Sequence, residues 1–213
     1  MLSIIHEDNH LFCLDKPGGL LTQPSGTDRI SLEEQAKAWL KEAHSKPGAV
    51  FLEAVHRIDA AACGIVLFAK TSKALSRLTA AIRDGRCSKE YRVLVGRPPR
   101  SAAGELRDWL RHDGGHAVVT RAGADGAKEA VLSYETLERR GDGTALLKVM
   151  LVSGRYHQIR AQFAHAGCPV VGDERYGSTV PYRRGCIALQ HYCLRLEHPV
   201  TGEPMEFISR IRL

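Results

Sequence analysis

Short apolar runs alternate with polar, glycine-rich breaks along most of the chain. The first two runs, Leu2–Ile5 and Leu11–Leu14, predict strands parted by a polar turn, and Lys16-Pro17-Gly18-Gly19 behind them must be a loop. Ser31 followed by Glu34 reads as a capping box, and Leu32, Ala36, Trp39, Leu40 and Ala43 then fall on one helical face until Lys46-Pro47-Gly48. Two further apolar runs, Val50–Val55 and Gly64–Ala69, predict buried strands on either side of a polar, small-residue loop from His56 to Cys63. Leu75, Leu78 and Ile82 set a second helix over Ser72–Asp84 with Gly85 as its stop.

Extended structure is expected again over Arg86–Gly96, Ala117–Arg121, Ala130–Leu137 and Ala145–Val152, the last two joined by a Gly141-Asp142-Gly143-Thr144 hairpin signal. A third helix spans Tyr156 to Ala166 up to Gly167, and strands near Cys186–His191 and Met205–Ser209 close the pattern. Gly123–Gly126 reads as a flexible loop. Many short strands with three helices predict an α+β fold, a mixed and largely antiparallel sheet with a few flanking helices. At 213 residues and 44% apolar content the chain suits one domain covering 1–213.

Charge narrows the partners. The formal charge of +6 favours polyanions such as RNA, DNA or an acidic membrane surface. No run approaches the roughly 18 consecutive apolar residues of a membrane span, and His6, Glu7, Asp8, Asp15 and Lys16 sit where a signal peptide would be apolar. A cytoplasmic protein without membrane attachment is expected. The six cysteines are widely spaced, with neither a C-x-x-C pair nor a zinc pattern, and read as free, mostly buried thiols with no metal site.

Three segments carry candidate chemistry. In His56-Arg57-Ile58-Asp59-Ala60-Ala61-Ala62-Cys63-Gly64 charged residues abut a strand too apolar to be exposed. A carboxylate there loses hydration, and one kept ionised by a nearby cation is a usable nucleophile; a structural Asp–Arg pair is the alternative. Ser153-Gly154-Arg155-Tyr156-His157-Gln158-Ile159-Arg160 is a glycine turn entering a helix, with His157, Arg160 and Ala164 spaced to share one face, so that Arg160 is rigidly held and suited to a partner carboxylate. Alternation from Ser88 to Gly96 puts Lys89, Tyr91 and Val93 on one side of a strand, where Tyr91 either stacks on a base or fills the core.

In this order the segments resemble the RNA pseudouridine synthases, in the RluA-like branch typified by bacterial enzymes that modify ribosomal and transfer RNA uridines and carry no appended S4 RNA-binding domain. Asp15-Lys16-Pro17-Gly18-Gly19-Leu20, Gly167-Cys168-Pro169-Val170-Val171-Gly172-Asp173 with Tyr176-Gly177, and His198-Pro199-Val200-Thr201-Gly202-Glu203 extend the likeness along nearly the whole chain. Six collinear segments are far more specific than one motif. The chain departs from the family pattern at Ala60, Ala62 and Cys63, where Arg and a Thr-Ser pair are usual, and at Tyr156 in place of Thr. These departures bear on the choice of RNA more than on the reaction.

The resemblance implies a synthase-type domain with a central RNA-binding cleft and Asp59 as nucleophile. Uridine's N1–C1′ bond breaks and the same ring rejoins through C5, so nothing is oxidised, no group donor is consumed and no cofactor is demanded. It further implies that Arg57 fills the stack vacated by an extruded uridine, that Tyr91 stacks on the ring, and that Arg160 keeps Asp59 ionised. His56, Lys89, Arg155 and His157 complete the expected substrate-binding set. The expected partner is structured RNA, a transfer or ribosomal RNA stem-loop, bound by a monomer. From Arg86 to Arg121 eight Lys or Arg face four Asp or Glu, and Arg175, Arg183 and Arg184 add a second basic cluster for phosphates. A catalytically silent RNA-binding protein on the same fold is the competing class. A metal hydrolase using His157, His165, His191 or His198 lacks the H-E-x-x-H spacing, and the His-Arg-x-Asp loop lacks the other signatures of a kinase.

Overall fold

The computed structural model describes residues 2–213, which divide into two compact units: the chain through Lys89 with His191–Arg212, and Glu90–Gln190 with Leu213. The first unit holds strands β1 (Ile4–Glu7), β2 (Leu11–Lys16), β3 (Glu53–Ala54) and β4 (Cys63–Ala69), and helices α1 (Leu32–Ala43) and α2 (Ser72–Arg83). The unit boundaries fall within β5 (Ser88–Val95) and β10 (Leu189–Glu197), and β11 (Pro204–Ile208) completes the first unit. Its strand order is β1-β2-β4-β10, with β3 on β4 and β11 on β10.

The period of two explains why β2 and β4 read as continuous apolar runs. Leu11 and Cys13, with Ile65, Leu67 and Ala69, pack on one face against Ala74 and Leu78 of α2. Phe12 and Leu14, with Val66 and Phe68, pack on the other against Leu32, Ala36 and Leu40 of α1. A strand covered on both faces has no solvent side on which to place a polar residue. The Ser31–Glu34 capping box forms as expected, and Gly85 (φ +72°) follows the end of α2.

The second unit is an antiparallel meander in the order β5-β9-β8-β6-β7, built from β6 (Ala103–Asp113), β7 (His116–Thr120), β8 (Lys128–Arg139) and β9 (Ala145–Leu151), with α3 (Gln158–His165). Ala161 of α3 packs with Leu110, Ala117 and Ala130.

The structure corrects several sequence expectations. β6 is an eleven-residue strand that the apolar pattern does not show, because only Leu110 is buried and Arg107 instead bridges Glu105 and Glu129 along the exposed surface. β10 starts three residues later than Cys186 and runs on to Glu197, since a turn closed by Cys186 N–H to Arg183 O delays it and outward Arg195 pairs with Glu206 of β11. Only Glu53–Ala54 of the Val50–Val55 run pairs as strand. Helix α3 begins at Gln158, two residues after Tyr156. All six cysteines are free thiols, four of them buried. Among the described residues no helix is long and apolar enough to cross a membrane, and no group of three or more His, Cys, Asp or Glu is placed to hold a metal.

Candidate active site

In the first unit the loop carrying Asp59 is fixed through its backbone. The Thr22 hydroxyl donates to Ile58 O at 2.9 Å, Gly19 N–H to Ala60 O at 2.8 Å, and Ala62 N–H closes a turn on Asp59 O at 3.1 Å. Beneath it lies the fully buried Lys16, whose Nζ faces the carbonyl oxygens of Pro17 (3.0 Å), Leu20 (2.7 Å), Ala60 (3.0 Å) and Ala62 (2.7 Å). An ammonium has three donors, so at least one is shared, and charge-assisted bonds of this kind are about twice as strong as neutral ones. Lys16 thereby ties the Lys16–Leu20 loop to both sides of the Ala60–Ala62 turn. Ile58 anchors the loop in the apolar cluster below, while Asp59 is half-buried and Arg57 exposed.

His56, at the entrance to this loop, is bonded to the strand that follows it. Its Nε2 accepts from Leu67 N–H at 3.3 Å, so the ring proton sits on Nδ1. The His191 ring lies edge-on to it at 5.1 Å, and His191 Nδ1 donates to Ile65 O at 2.8 Å. Burial first, then the charges of His191 and Lys89, push His56 well below the ordinary histidine range. Burial also brings His191 down to about 4, against the Ile65 bond that favours its charged form and with help from Lys89. Burial likewise lowers the Lys89 ammonium.

These shifts fix a pH dependence. An unfolded histidine binds its proton near pH 6.5, whereas His191 in the fold does so only near 4. Between those values the unfolded chain carries the extra proton, so stability is complete above about pH 6.5 and is lost as pH falls toward 4. For a fully buried ring the shift amounts to on the order of 3 kcal/mol. Thermal melting is expected to drop between pH 7.5 and pH 5, and less steeply in His191→Gln. A melting temperature flat across that range contradicts the assignment.

In the second unit Tyr91 lies on β5 opposite Val149 of β9 and is 8% exposed. Gln158 organises the start of α3: its Oε1 accepts from Ser153 Oγ (2.9 Å) and Arg155 N–H (3.0 Å), and its Nε2 donates to Val131 O (3.1 Å). Arg155 is exposed, with Nε donating to Glu129 O at 2.9 Å. His157 precedes the helix in the left-handed conformation (φ 49°, ψ 25°), so it does not share a helical face with Arg160 as the spacing suggests; instead its Nε2 meets Arg160 Nη1 at 2.9 Å. Arg160, 6% exposed, gives Nε to Asp173 Oδ2 (2.6 Å) and Nη2 to Asp173 Oδ1 (2.8 Å).

Each unit thus gathers its own part of the predicted set: His56, Arg57, Asp59 and Lys89 in the first, Tyr91, Arg155, His157 and Arg160 in the second. Sequence reasoning assigned no work to Lys16 or Asp173, and weighed His191 only as a metal ligand. Lys16 and Asp173 lie in the segments that carry the family likeness, and that was the available signal. The basic clusters are partly neutralised. Arg86, Arg92, Arg107 and Arg111 pair with nearby carboxylates, whereas Arg97, Arg100, Arg121, Arg183 and Arg184 are exposed and have no ion pair among the described residues.

Comparison with known proteins bears on the family and the fold. Residues 10–165 match the family described as RNA pseudouridylate synthase. The chain is 31% identical over 212 residues to the dual-specificity RNA pseudouridine synthase RluA of Haemophilus influenzae, covering 98% of this chain and 93% of that protein. It is 31% identical over 209 residues to the ribosomal large subunit pseudouridine synthase C of Vibrio vulnificus, covering 95% and 64% respectively. The fold superposes on human RNA pseudouridylate synthase domain containing 4 with a TM-score of 0.81, at 20% identity over 99% of this chain and 88% of that one.

Proposed function

Because the chain belongs to the RNA pseudouridylate synthase family and is an isomerase that acts on RNA, we propose that it converts particular uridines of transfer or ribosomal RNA stem-loops to pseudouridine with Asp59 as the nucleophile. The observation that carries this reading is the backbone-locked loop bearing Asp59, in which Lys16, Gly19 and Thr22 hold the main chain while the side chains of Arg57 and Asp59 stay accessible. Rigidity there has a catalytic use, since a nucleophile gains most when its approach to the reacting carbon is set before the substrate arrives.

In this proposal both units serve one catalytic domain. The target uridine leaves its stack at a cost of about a few kcal/mol, which phosphate contacts and Arg57 in the vacated gap offset. Asp59 bonds to one fragment as the N1–C1′ bond breaks, the uracil turns, C5 bonds to C1′, the bond to Asp59 breaks to restore the carboxylate, the C5 proton is removed and N1 takes up a proton. Tyr91 stacks on the ring and assists the removal of the C5 proton. Arg160 supplies positive charge to the site, and His56, Lys89, Arg155 and His157 take part in binding the substrate.

The protein acts as a monomer in the cytoplasm, and local RNA shape selects the target. The match to a dual-specificity RNA pseudouridine synthase over 98% of this chain supports a synthase that acts on RNA. Pseudouridine mapping of total RNA from cells with and without the gene is expected to show a small set of transfer or ribosomal RNA sites lost on deletion. Identical maps would contradict the proposal.

A further inference from the structure

We propose that Asp173, acting with His157 and Tyr176, is a positioning residue that fixes the Arg160 guanidinium in one orientation. The inference rests on the active-site assignment of Arg160 made above and goes beyond it. Asp173 is 1% exposed and meets Arg160 side-on through two bonds of 2.6 and 2.8 Å, the bidentate geometry that stops the planar guanidinium from turning about its Cδ–Nε bond. His157 Nε2 holds Nη1 from another direction at 2.9 Å. A guanidinium can only donate, so Nε2 is the acceptor and the His157 proton lies on Nδ1, which donates to Tyr176 Oη at 2.9 Å. That hydroxyl also accepts from Ala117 N–H at 2.7 Å, and the Tyr176 ring lies 4.9 Å from Arg160 Cζ. Three of the five N–H groups of Arg160 are engaged by these bonds, and Nη1 and Nη2 each carry one further N–H.

One backbone feature shows that this arrangement is built at a cost, and another shows how tightly it is built. His157 holds a positive φ of 49°, a conformation that a non-glycine residue adopts at some expense, and its ring stacks on Tyr156 at 3.8 Å. Gly172 immediately before Asp173 has φ +82°, and a Cβ there would stand 2.5 Å from Tyr182 Cβ and 2.9 Å from Cys186 O. The turn that aims Asp173 at Arg160 therefore admits only glycine. A buried Asp–Arg pair gives little net stability over a well-packed apolar pair of like shape, so strain spent on forming one points to a use for the orientation it fixes.

The test compares Asp173→Asn, Arg160→Met and the double variant for turnover, KM for RNA, RNA affinity and melting. Asp173→Asn is expected to lower kcat by about 30-fold or more with RNA affinity within about threefold, and the double variant to fall no more than about threefold below Arg160→Met, because both changes remove the same oriented charge. A purely structural Asp173 would change melting without this kcat-only loss, or its loss would add in full to that of Arg160→Met, and either result overturns the clamp. Arg160→Met turning over like the wild type would instead overturn the assignment of Arg160 itself. Should Asp173→Asn fail to fold, Tyr176→Phe carries the test. It removes the hydroxyl that holds His157 while keeping the ring, and it is expected to lower kcat about 5-fold or more at unchanged KM. Unchanged kcat in Tyr176→Phe would then count against the clamp.

Discussion

Replacing Asp59 by Asn is expected to abolish pseudouridine formation, by at least about 10³-fold, while RNA affinity stays within about threefold. Asn matches Asp in shape, and main-chain groups of Ile58, Ala60 and Ala62 hold the loop, so its path should survive the change. Under the proposed assignment, what is lost is the carboxyl oxygen that forms the covalent bond. Affinity depends mainly on phosphate contacts, to which a single carboxylate contributes little, and removal of its negative charge favours RNA slightly if at all. Turnover by a homogeneous preparation of the Asp59→Asn variant would move the nucleophile elsewhere. Equal loss of binding and turnover would make Asp59 a structural residue.

A comparably large effect, on stability, is expected for Gly64→Ala. Gly64, the second residue of β4 behind the Asp59 loop, has φ +108°, and a Cβ there would lie 2.3 Å from His191 O and 2.8 Å from His191 N. Both contacts are backbone, so no side-chain rotation relieves them, and β4 and β10 would have to part where His191 bonds Ile65 O. Clash and strained φ together are expected to cost about 4 kcal/mol or more, a large share of the 5–15 kcal/mol typical of a domain. Thermal melting should fall by roughly 10 °C or more. A melting temperature within about 2 °C of wild type would show that the strands yield there at no cost.

The contrast between β4 and β6 shows which parts of the fold were legible in the sequence. β4 was visible because both faces are covered, which demands an unbroken apolar run; β6 was not, because pairing with β7 and β8 sustains a strand whose side chains are mostly solvated. Helix α3 was visible as an element but not in its start, where Gln158 accepts from Ser153 and Arg155, side-chain bonds that no period reveals. Asp59 stood out as a charge beside an apolar strand. Lys16 did not, since a buried lysine satisfied by four carbonyls looks in sequence like any loop lysine. Asp173 lies 13 residues beyond Arg160, and only the turn at Gly172 brings its carboxylate back to the helix. The family likeness marked both segments without giving their work.

The central claim is that this chain isomerises uridine in RNA through Asp59. Its most direct measurement is tritium release from RNA labelled at uridine C5, run side by side with the wild-type and Asp59→Asn proteins, with the nucleosides resolved by chromatography after digestion. The wild type should release tritium in step with new pseudouridine, and the variant should release none. Tritium release by the variant at the wild-type rate, or none from the wild type on RNA that lacks prior modification, would contradict the account.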